Sequence, residues 1–373
     1  MKIPSILALT IVALLQPLFL CAQEVSVWDR KYYFAAQQQA AAERVLTALE
    51  DNIPPEQIQQ EQLQQQQARK TVVEEALRNV AIELALEYAF CVRGNQIFEV
   101  VDEQGMRISR LHYPNRGQMY TYKGEVRFFD IVGIGGRYSS SNFSRSTATD
   151  TDWIPEITPD LIWLESHSTN KAKIESFDMN VYYRLMDINA GSSQMARDLF
   201  DLLRLKNGGH FTLDAFAGYL EHKGRYGMTD GAWTIAWWWP VDEGIYDLNS
   251  FYKVSYKGPR FGLRAGGSSG KLATEISFAY AVLKTKAYGW WNLRDYSFEQ
   301  NGKNGYGIEA GLNTSYSFTP HLALGIGLNY TYYRQKGLKE SGNQPGGVYD
   351  ELDIIRNVES TVYSPTLFLK YKW

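Results

Sequence analysis

Cysteine, histidine and long apolar stretches are scarce in this chain of 373 residues. It has two cysteines and five histidines, and no run of about eighteen apolar residues follows the N-terminal segment, so no membrane-spanning helix is predicted. The formal net charge of -3 excludes a strongly basic nucleic-acid-binding protein. What is present is 45% hydrophobic and 14% aromatic residues at a mean hydropathy of -0.33. Alternating strands of a β-barrel produce such a mixture.

The first residues predict a secretory signal peptide. Lys2 is followed by an apolar run over residues 3–20 and then by Cys21, Ala22 and Gln23, which indicates cleavage after Ala22 and a signal peptide at 1–22. A retained N-terminal anchor is the alternative. Cleavage leaves Cys91 as the only cysteine and excludes an intramolecular disulfide.

Residues 23–83 differ in composition from the rest of the chain. They contain no glycine and many Gln, Ala and Glu residues, with one interruption at Pro54 and Pro55. Helix formers dominate, so two polar helices are predicted at about 30–51 and 56–83, forming a periplasmic extension. A partner-binding surface, a plug for the barrel and a partly disordered spacer all remain open as its role.

The last strand of the chain alternates in polarity and ends on an aromatic residue. Leu367, Leu369, Tyr371 and Trp373 share one face and two lysines lie on the other, so one side would contact lipid and the other a polar interior. Outer-membrane barrels usually end in this way. Trp373 is therefore expected to be recognised by the barrel assembly machinery of a Gram-negative outer membrane.

Alternating runs continue through residues 84–373. The clearest places Leu322, Leu324, Ile326, Leu328, Tyr330 and Tyr332 at even spacing, with small or polar residues between them. The predicted fold is an all-β, ten-stranded antiparallel transmembrane β-barrel, an even number as such barrels normally have. Its strands are predicted near 86–102, 106–128, 131–146, 173–188, 210–228, 248–267, 272–288, 295–318, 321–337 and 355–373.

The connections between these strands alternate between short and long. Asp102 to Gly105 predicts a hairpin, and tight turns are predicted at 268–271 and 318–321. The polar stretches 147–172, 228–247 and 338–354 are expected to be loops at the cell surface. Residues 192–206 predict a short amphipathic helix on the periplasmic side.

The first candidate for chemistry is the acidic pair Asp150 and Asp152. Two carboxylates two residues apart on a strand point to the same face and can hold and polarise a water molecule. Acidic residues in loops are more often simply solvated, so the pair alone does not indicate catalysis.

The order of several short motifs adds to this pair. Asp-Thr-Asp-Trp at 150–153 is followed by Glu-Ser-His at 165–167 and by Phe-Asp-Met-Asn at 177–180. In this order the motifs resemble the omptins, ten-stranded outer-membrane endopeptidases, and the resemblance extends over about 86–373. It implies a surface endopeptidase in which a water lies between this Asp pair and an Asp-His pair across the barrel mouth.

The sequence departs from the omptin pattern at the second half of that site. The segment 287–295, where the resemblance places Asp-x-His, contains no histidine, and Asp295 is the remaining acid. Ser166, His167 and Asp295 are possible accessory residues. Two positions at which the resemblance implies acidic groups for basic substrates are occupied by Gln96 and Leu164.

The resemblance also implies a lipopolysaccharide-binding surface. Tyr219, Glu221, Lys223 and Lys303 are its candidate residues, since a cation flanked by hydrogen-bonding groups suits a lipid phosphate. Four tryptophans at 233 and 237–239 form a separate aromatic cluster, which is expected either to anchor a ligand or to pack on Trp290 and Trp291.

Two functions remain open. The first is a surface endopeptidase that uses Asp150 and Asp152, with no metal or other cofactor apart from an accessory lipopolysaccharide. The second is a proteolytically inactive barrel that binds a surface ligand, lipopolysaccharide or a host molecule through its loops. A diffusion pore is not expected, because barrels of this size are largely filled by side chains.

Overall fold

The computed structural model describes most of the chain from Val80 onward. The described residues are 60, 63–64, 80–143, 146–154, 157–158, 161–189, 209–237, 239–344, 347–349 and 355–373. The predicted signal peptide, nearly all of the predicted extension and the predicted helix at 192–206 lie outside them. No helix in this described part is long and apolar enough to cross a membrane.

The described residues form twelve antiparallel strands in one closed sheet. Strand β1 pairs with both β12 and β2, which closes the ring, and β11 pairs with β10 alone. A single turn of 3-10 helix, Asn292–Arg294, follows β8. The strands are β1 Val80–Val101, β2 Arg107–Phe128, β3 Val132–Phe143, β4 Ser146–Trp153, β5 Ile162–Asn189, β6 Gly209–Ala236, β7 Trp239–Ser269, β8 Leu272–Trp291, β9 Tyr296–Ser317, β10 Leu322–Gln344, β11 Gly347–Tyr349 and β12 Ile355–Lys372.

The predicted ten strands differ from the twelve observed at two places. Strand β3 matches the predicted third strand, whereas β4 lies almost wholly in the predicted loop 147–172; both pair with β2 and β5. The three-residue β11 was expected to be loop. Strand β1 begins at Val80. Residues 80–83 therefore belong to the barrel wall and not to the helix predicted at 56–83.

The two ends of the barrel are unlike each other. At one end, which we call the long end, β1 is followed by β2, β4 by β5, β6 by β7 and β8 by β9; at the other, the short end, the chain turns at 129–131, 270–271 and 318–321. The predicted surface loops 147–172, 228–247 and 338–354 are largely strand, because β4 to β7 and β10 continue well past the apolar part of the wall. Cross-strand hydrogen bonds satisfy the backbone there, so a polar sequence does not end the strands.

Short turns lie where the sequence predicts them. In the hairpin after β1, the Asp102 carboxylate accepts a hydrogen bond from the Met106 backbone N–H at 2.7 Å, and Gly105 has φ +84°. Gly270, in the turn between β7 and β8, has φ +59°. Both conformations favour glycine because they lie in the left-handed region.

A band of outward-facing apolar side chains surrounds the barrel. Leu324, Ile326 and Leu328 of β10 are exposed, as the alternation predicts, and so are Leu367 and Leu369 of β12. Aromatic residues border this lipid-facing band, with Tyr138, Tyr219, Tyr280 and Tyr363 toward the long end and Phe129, Tyr316, Phe318, Tyr371 and Trp373 at the short end. Such girdles are typical of membrane barrels.

The interior is filled by side chains. Within the lipid-facing band the filling is ionic, with a cavity of about 120 Å³ among these groups and one of about 40 Å³ among mixed side chains. Nearer the long end, Phe98, Tyr113, Tyr226, Tyr252 and Phe298 are buried against one another with ring centroids 5.0–6.3 Å apart. We call these five rings the aromatic floor.

The ring is closed at the short end by the last residue. Trp373 and Ile82 exchange two backbone hydrogen bonds of 2.8 and 3.0 Å, and Lys370 and Lys372 both contact the Glu83 carboxylate. The outward Leu and inward Lys side chains of β12 confirm the predicted alternation.

Deleting Lys372 and Trp373 also removes the hydrogen bond that the Lys372 N–H donates to the His321 carbonyl at 2.8 Å. The deletion should therefore destabilise the barrel by about 3 kcal/mol, roughly the sum of three net backbone hydrogen bonds. The urea midpoint of the refolded barrel in detergent micelles measures this. The variant Lys372→Ser keeps the backbone bonds and should change the midpoint little, since the Lys372 side chain is 61% exposed. A deletion variant with the wild-type midpoint would contradict this account of ring closure.

Candidate active site

Strand β4 places Asp150 and Asp152 on the inner face of the wall at the long end. Asp150 lies opposite Leu111 of β2 and Ser166 of β5, and Asp152 lies opposite Ser109 of β2. Leu111 is buried inside the barrel, and residues opposite each other on antiparallel strands point to the same face. The two carboxyl groups therefore face the barrel mouth.

The proton affinity of this pair is raised. Burial and the neighbouring Asp152 charge raise the pKa of Asp150 to about 7, against the opposing field of the Arg294 guanidinium. Burial also raises the pKa of Asp152, while a hydrogen bond from Ser109 and the Arg294 charge lower it. Two adjacent acids of this kind hold one proton between them near neutral pH.

Arg294 belongs to the connection in which the omptin resemblance implies Asp-x-His. Asn292, two residues earlier, fixes this turn: its side-chain oxygen accepts hydrogen bonds from the Asn249 N–H at 2.8 Å and the Ser250 hydroxyl at 2.9 Å, and its amide donates to the Asp247 carbonyl at 2.6 Å. Asp295 ends the turn in a left-handed conformation and is exposed. The effect of Arg294 on the acid pair could not be predicted, because Arg294 lies far from Asp150 and Asp152 along the chain.

Ser166 and His167 lie on opposite faces of β5. Ser166 is the direct cross-strand neighbour of Asp150. His167 contacts the Glu165 carboxylate at 3.4 Å, and Glu165 also accepts hydrogen bonds from Thr151 and Thr234. Thr151 alternates with the two aspartates, so this polar group lies on the outer face. Ser166 therefore lies next to the acid pair, and His167 lies on the opposite face of the strand.

The other histidines also have partners elsewhere. His112 hydrogen-bonds Asn95, and His222 is buried and hydrogen-bonds the Ser176 hydroxyl at 2.6 Å. His210 pairs with Asp187, and His321 hydrogen-bonds the Lys372 carbonyl. With His167, these account for all five histidines of the chain. Among the described residues, no three His, Cys, Asp or Glu side chains lie close enough together to hold a metal ion.

Gln96 and Leu164, the two positions at which acidic groups for a basic substrate were expected, are uncharged. Gln96 is fully buried, and its amide donates a hydrogen bond to the Tyr256 hydroxyl at 3.2 Å. Leu164 lies opposite Asp152. Burial, and to a smaller extent the Asp150 charge, raise the pKa of the Tyr113 hydroxyl in the aromatic floor.

The candidate lipopolysaccharide residues are partly brought together. Tyr219, Glu221 and Lys223 alternate on the outer face of β6, and Glu221 pairs with Lys223 at 2.7 Å. Lys257 of β7 pairs with the same carboxylate at 2.6 Å. Sequence reasoning missed Lys257, whose only signal is its outward position in an alternating strand. Lys303 lies on β9, which is separated from β6 by two strands.

The described tryptophans near the tip of the β6–β7 hairpin are largely exposed. Trp237 and Trp239 are 63% and 68% exposed, and Trp237 packs edge-on against Trp163 with ring centroids 5.0 Å apart. Trp290 packs on Phe251, and Trp291 packs on Tyr296 and Phe298. The predicted packing between the two tryptophan groups is not among the ring contacts of the described residues.

Comparison with known proteins identifies the fold. No family model and no curated protein sequence matches the chain. The structure is similar to the outer-membrane protease OmpT from Escherichia coli, with a TM-score of 0.67 and 14% identity over 79% of this chain and 97% of that one. Weaker matches include the outer-membrane protein OprG from Pseudomonas aeruginosa, at a TM-score of 0.31 with 9% identity over 78% of this chain and 95% of that one. The autotransporter NalP translocator domain from Neisseria meningitidis matches at 0.30 with 12% identity over 85% and 97%. The chain thus has the fold of an outer-membrane β-barrel of the OmpT type.

Proposed function

We propose that this chain is an outer-membrane endopeptidase that uses Asp150 and Asp152 as a carboxyl pair. The observation that carries the proposal is that both acids lie on the inner face of β4 at the barrel mouth, opposite Leu111 and Ser109 of β2. Burial raises the pKa of both, so the pair is expected to hold one proton near neutral pH. A peptide laid across the mouth would place its carbonyl between the pair and Arg294.

The carboxyl pair can supply both proton transfers of amide hydrolysis. The ionised carboxylate takes a proton from a bound water as the water oxygen attacks the carbonyl carbon. The protonated carboxyl gives its proton to the departing amide nitrogen when the C–N bond breaks. Arg294 would stabilise the negative charge that develops on the carbonyl oxygen.

The test is cleavage of a diverse peptide library by the full chain refolded with lipopolysaccharide. Wild type is expected to cleave, and the double variant Asp150→Asn/Asp152→Asn is not. A folded wild-type barrel that leaves the whole library intact would refute the proposal. Because Gln96 is buried and Leu164 is apolar, the preferred sites are not expected to be dibasic.

A proteolytically inactive, ligand-binding barrel is the second candidate. It is favoured by Arg294, which puts a cation beside the acids where the omptin resemblance implies a histidine, and by the placement of all five histidines away from the pair. In this case the exposed Trp237 and Trp239 would be the ligand anchors.

The remaining architecture is proposed on the same basis. The long end, with the acid pair, would face the cell exterior, and residues 23–79 would lie in the periplasm after removal of a signal peptide at 1–22. We infer that β3 and β4 act as one interrupted strand, so that ten strands form the wall. Trp373 would be recognised by the assembly machinery, and Tyr219, Glu221, Lys223, Lys257 and Lys303 would contact lipopolysaccharide, the only accessory molecule expected.

A further inference from the structure

One cross-strand row of the inner wall passes through Asp152 at the barrel mouth. On one side, Asp152 lies opposite Ser109 of β2, and Ser109 lies opposite Val100 of β1. On the other side, Asp152 lies opposite Leu164 of β5, and the row continues across β6 to β7. Opposed residues of antiparallel strands point to the same face, so the row faces the mouth. We call it the mouth row; its residues are Val100, Ser109, Asp152, Leu164, Ala236 and Trp239.

The large side chains of the mouth row are apolar and lie on both sides of the acid. They are Val100, Leu164 and Trp239; the first two are partly exposed and Trp239 is 68% exposed. Val100 also packs against the buried residues that include the aromatic floor. Apart from Asp152, the residues of the row are uncharged. A molecule bound at the acid pair would therefore meet apolar surface on either side.

The row through Asp150 extends this apolar surface inward. Asp150 lies opposite Leu111 of β2, and Leu111 lies opposite Phe98 of the aromatic floor. Both apolar residues are buried. On the other side Asp150 lies opposite the neutral Ser166. Because Cβ atoms of directly opposed residues are about 5 Å apart, a substrate group that reaches either acid also contacts these neighbours.

The charge beside the acid pair opposes a basic substrate side chain. Burial raises the pKa of both acids, and the Arg294 charge acts against this at each of them. A lysine or arginine of a substrate would therefore lie near a like charge, which is unfavourable at an interface. Neither Gln96 nor Leu164 supplies a carboxylate to offset it. An apolar side chain meets no such repulsion and gains from leaving water.

We propose that the barrel mouth recognises peptides by bulky apolar or aromatic side chains next to the bond held at the acid pair, with Val100, Leu164 and Trp239 as the specificity-determining residues. The inference rests on the proposed endopeptidase function and names its substrate class. An extended peptide along the mouth row points alternate side chains at the wall, about 7 Å apart. Leu164 contacts the side chain nearest Asp152, and Trp239 contacts one farther along the peptide.

The test measures binding separately from cleavage. Fluorescent octapeptides of Gly and Ser carry Phe, Leu, Ala, Arg or Glu at both central positions, and a ketomethylene group replaces the central peptide bond so that it cannot be hydrolysed. They are titrated against the wild-type full chain in phosphatidylcholine vesicles, and binding to empty vesicles is subtracted. The Phe and Leu peptides are expected to bind about tenfold more tightly than the Ala, Arg and Glu peptides. Arg or Ala binding as tightly as Phe would overturn the proposal.

The same peptides with a natural central bond separate this inference from the proposed function. Apolar preference in binding without cleavage of any of them would count against the endopeptidase and leave the recognition standing. Cleavage without preference for Phe or Leu would support the endopeptidase and refute the recognition.

Two variants that add the same charge to opposite faces of the wall locate the site. Thr147 is exposed on β4 and lies three residues before Asp150, so alternation puts it on the outer face. Leu164→Glu should weaken binding of the Phe peptide and strengthen binding of the Arg peptide, each by about tenfold. Thr147→Glu should leave both within about threefold of wild type.

Leu164→Ala keeps the test decisive if glutamate at 164 prevents refolding. It should weaken binding of the Phe peptide by about tenfold, because apolar contact is lost, without strengthening binding of the Arg peptide. Wild-type affinity for the Phe peptide in a folded Leu164 variant would show that Leu164 does not determine specificity.

Discussion

Replacing Asp150 by Asn should lower kcat/KM for peptide cleavage by about 10³-fold at pH 6, within the range that general acid–base catalysis contributes. Asn cannot supply the proton that Asp150, with its pKa raised to about 7, holds at this pH. Asp152→Asn should have an effect of similar size, because it removes the ionised partner that accepts a proton from water. Initial rates on the best substrate of the peptide library measure both.

The matched control for these variants is Asp242→Asn. Asp242 lies on β7 near the same end of the barrel, and its side chain is exposed. It should retain wild-type kcat/KM. If all three variants cleaved at the wild-type rate, the carboxyl pair would not be the catalytic site.

The pH dependence of stability provides a test that needs no substrate. The folded state raises the pKa of Asp150 from 3.8 to about 7, so it binds a proton that the unfolded chain loses above pH 4. The stability contributed by this proton is present at low pH and is lost as pH rises toward 7. Asp150→Asn should therefore be about 1–2 kcal/mol more stable than wild type at pH 8, allowing for partial exposure, and close to wild type at pH 4. Urea midpoints at the two pH values measure this, and an equal shift at both would contradict the raised pKa.

The parts of the fold that depend on a two-residue period could be predicted from the sequence. The outward row on β10 and the inward lysines of β12 follow from alternation alone, and the glycine turns follow from local backbone requirements. Strand ends at the long end could not be predicted in this way, because a polar strand in water and a polar loop have the same composition. The stretch 228–247 was expected to be loop, although β6 and β7 continue through most of it.

The site shows the same division between local and long-range information. The spacing of Asp150 and Asp152 is enough to place both on one face. The effect of Arg294 on them depends on strands far apart in sequence being joined in a ring. Strand register also determines that the buried Gln96 hydrogen-bonds Tyr256. It likewise places Arg225 directly across from Lys173 and Lys253. No local pattern carries that register.

Asp214→Ala should destabilise the barrel by about 3–5 kcal/mol, the usual effect of removing one member of a buried ion pair. Asp214 is buried within the lipid-facing band and lies opposite both Arg184 and Arg264 in the sheet. Its carboxylate accepts hydrogen bonds from these two arginines and, across the barrel interior, from Arg127 of β2 at 2.9 Å. The alanine variant leaves three guanidinium groups facing one another, with Glu125 paired to Arg127 and Arg264 and the half-exposed Asp187 paired to Arg184.

Asp187→Ala is the control because Asp187 pairs with the same Arg184 at 2.6 Å but is 39% exposed. Its loss should cost less than about 1 kcal/mol, as is usual for a solvated ion pair. Urea unfolding of both variants, refolded in the same micelles, gives the comparison. A similar effect of the two substitutions would mean that the interior ion pairs are solvated through the cavities beside them. A large effect of Asp214→Ala alone would mean that the Asp214 carboxylate joins β2, β5, β6 and β7 across the interior. The ion pairs of Asp214 would then stabilise β2 and β5, the two strands that pair with β4.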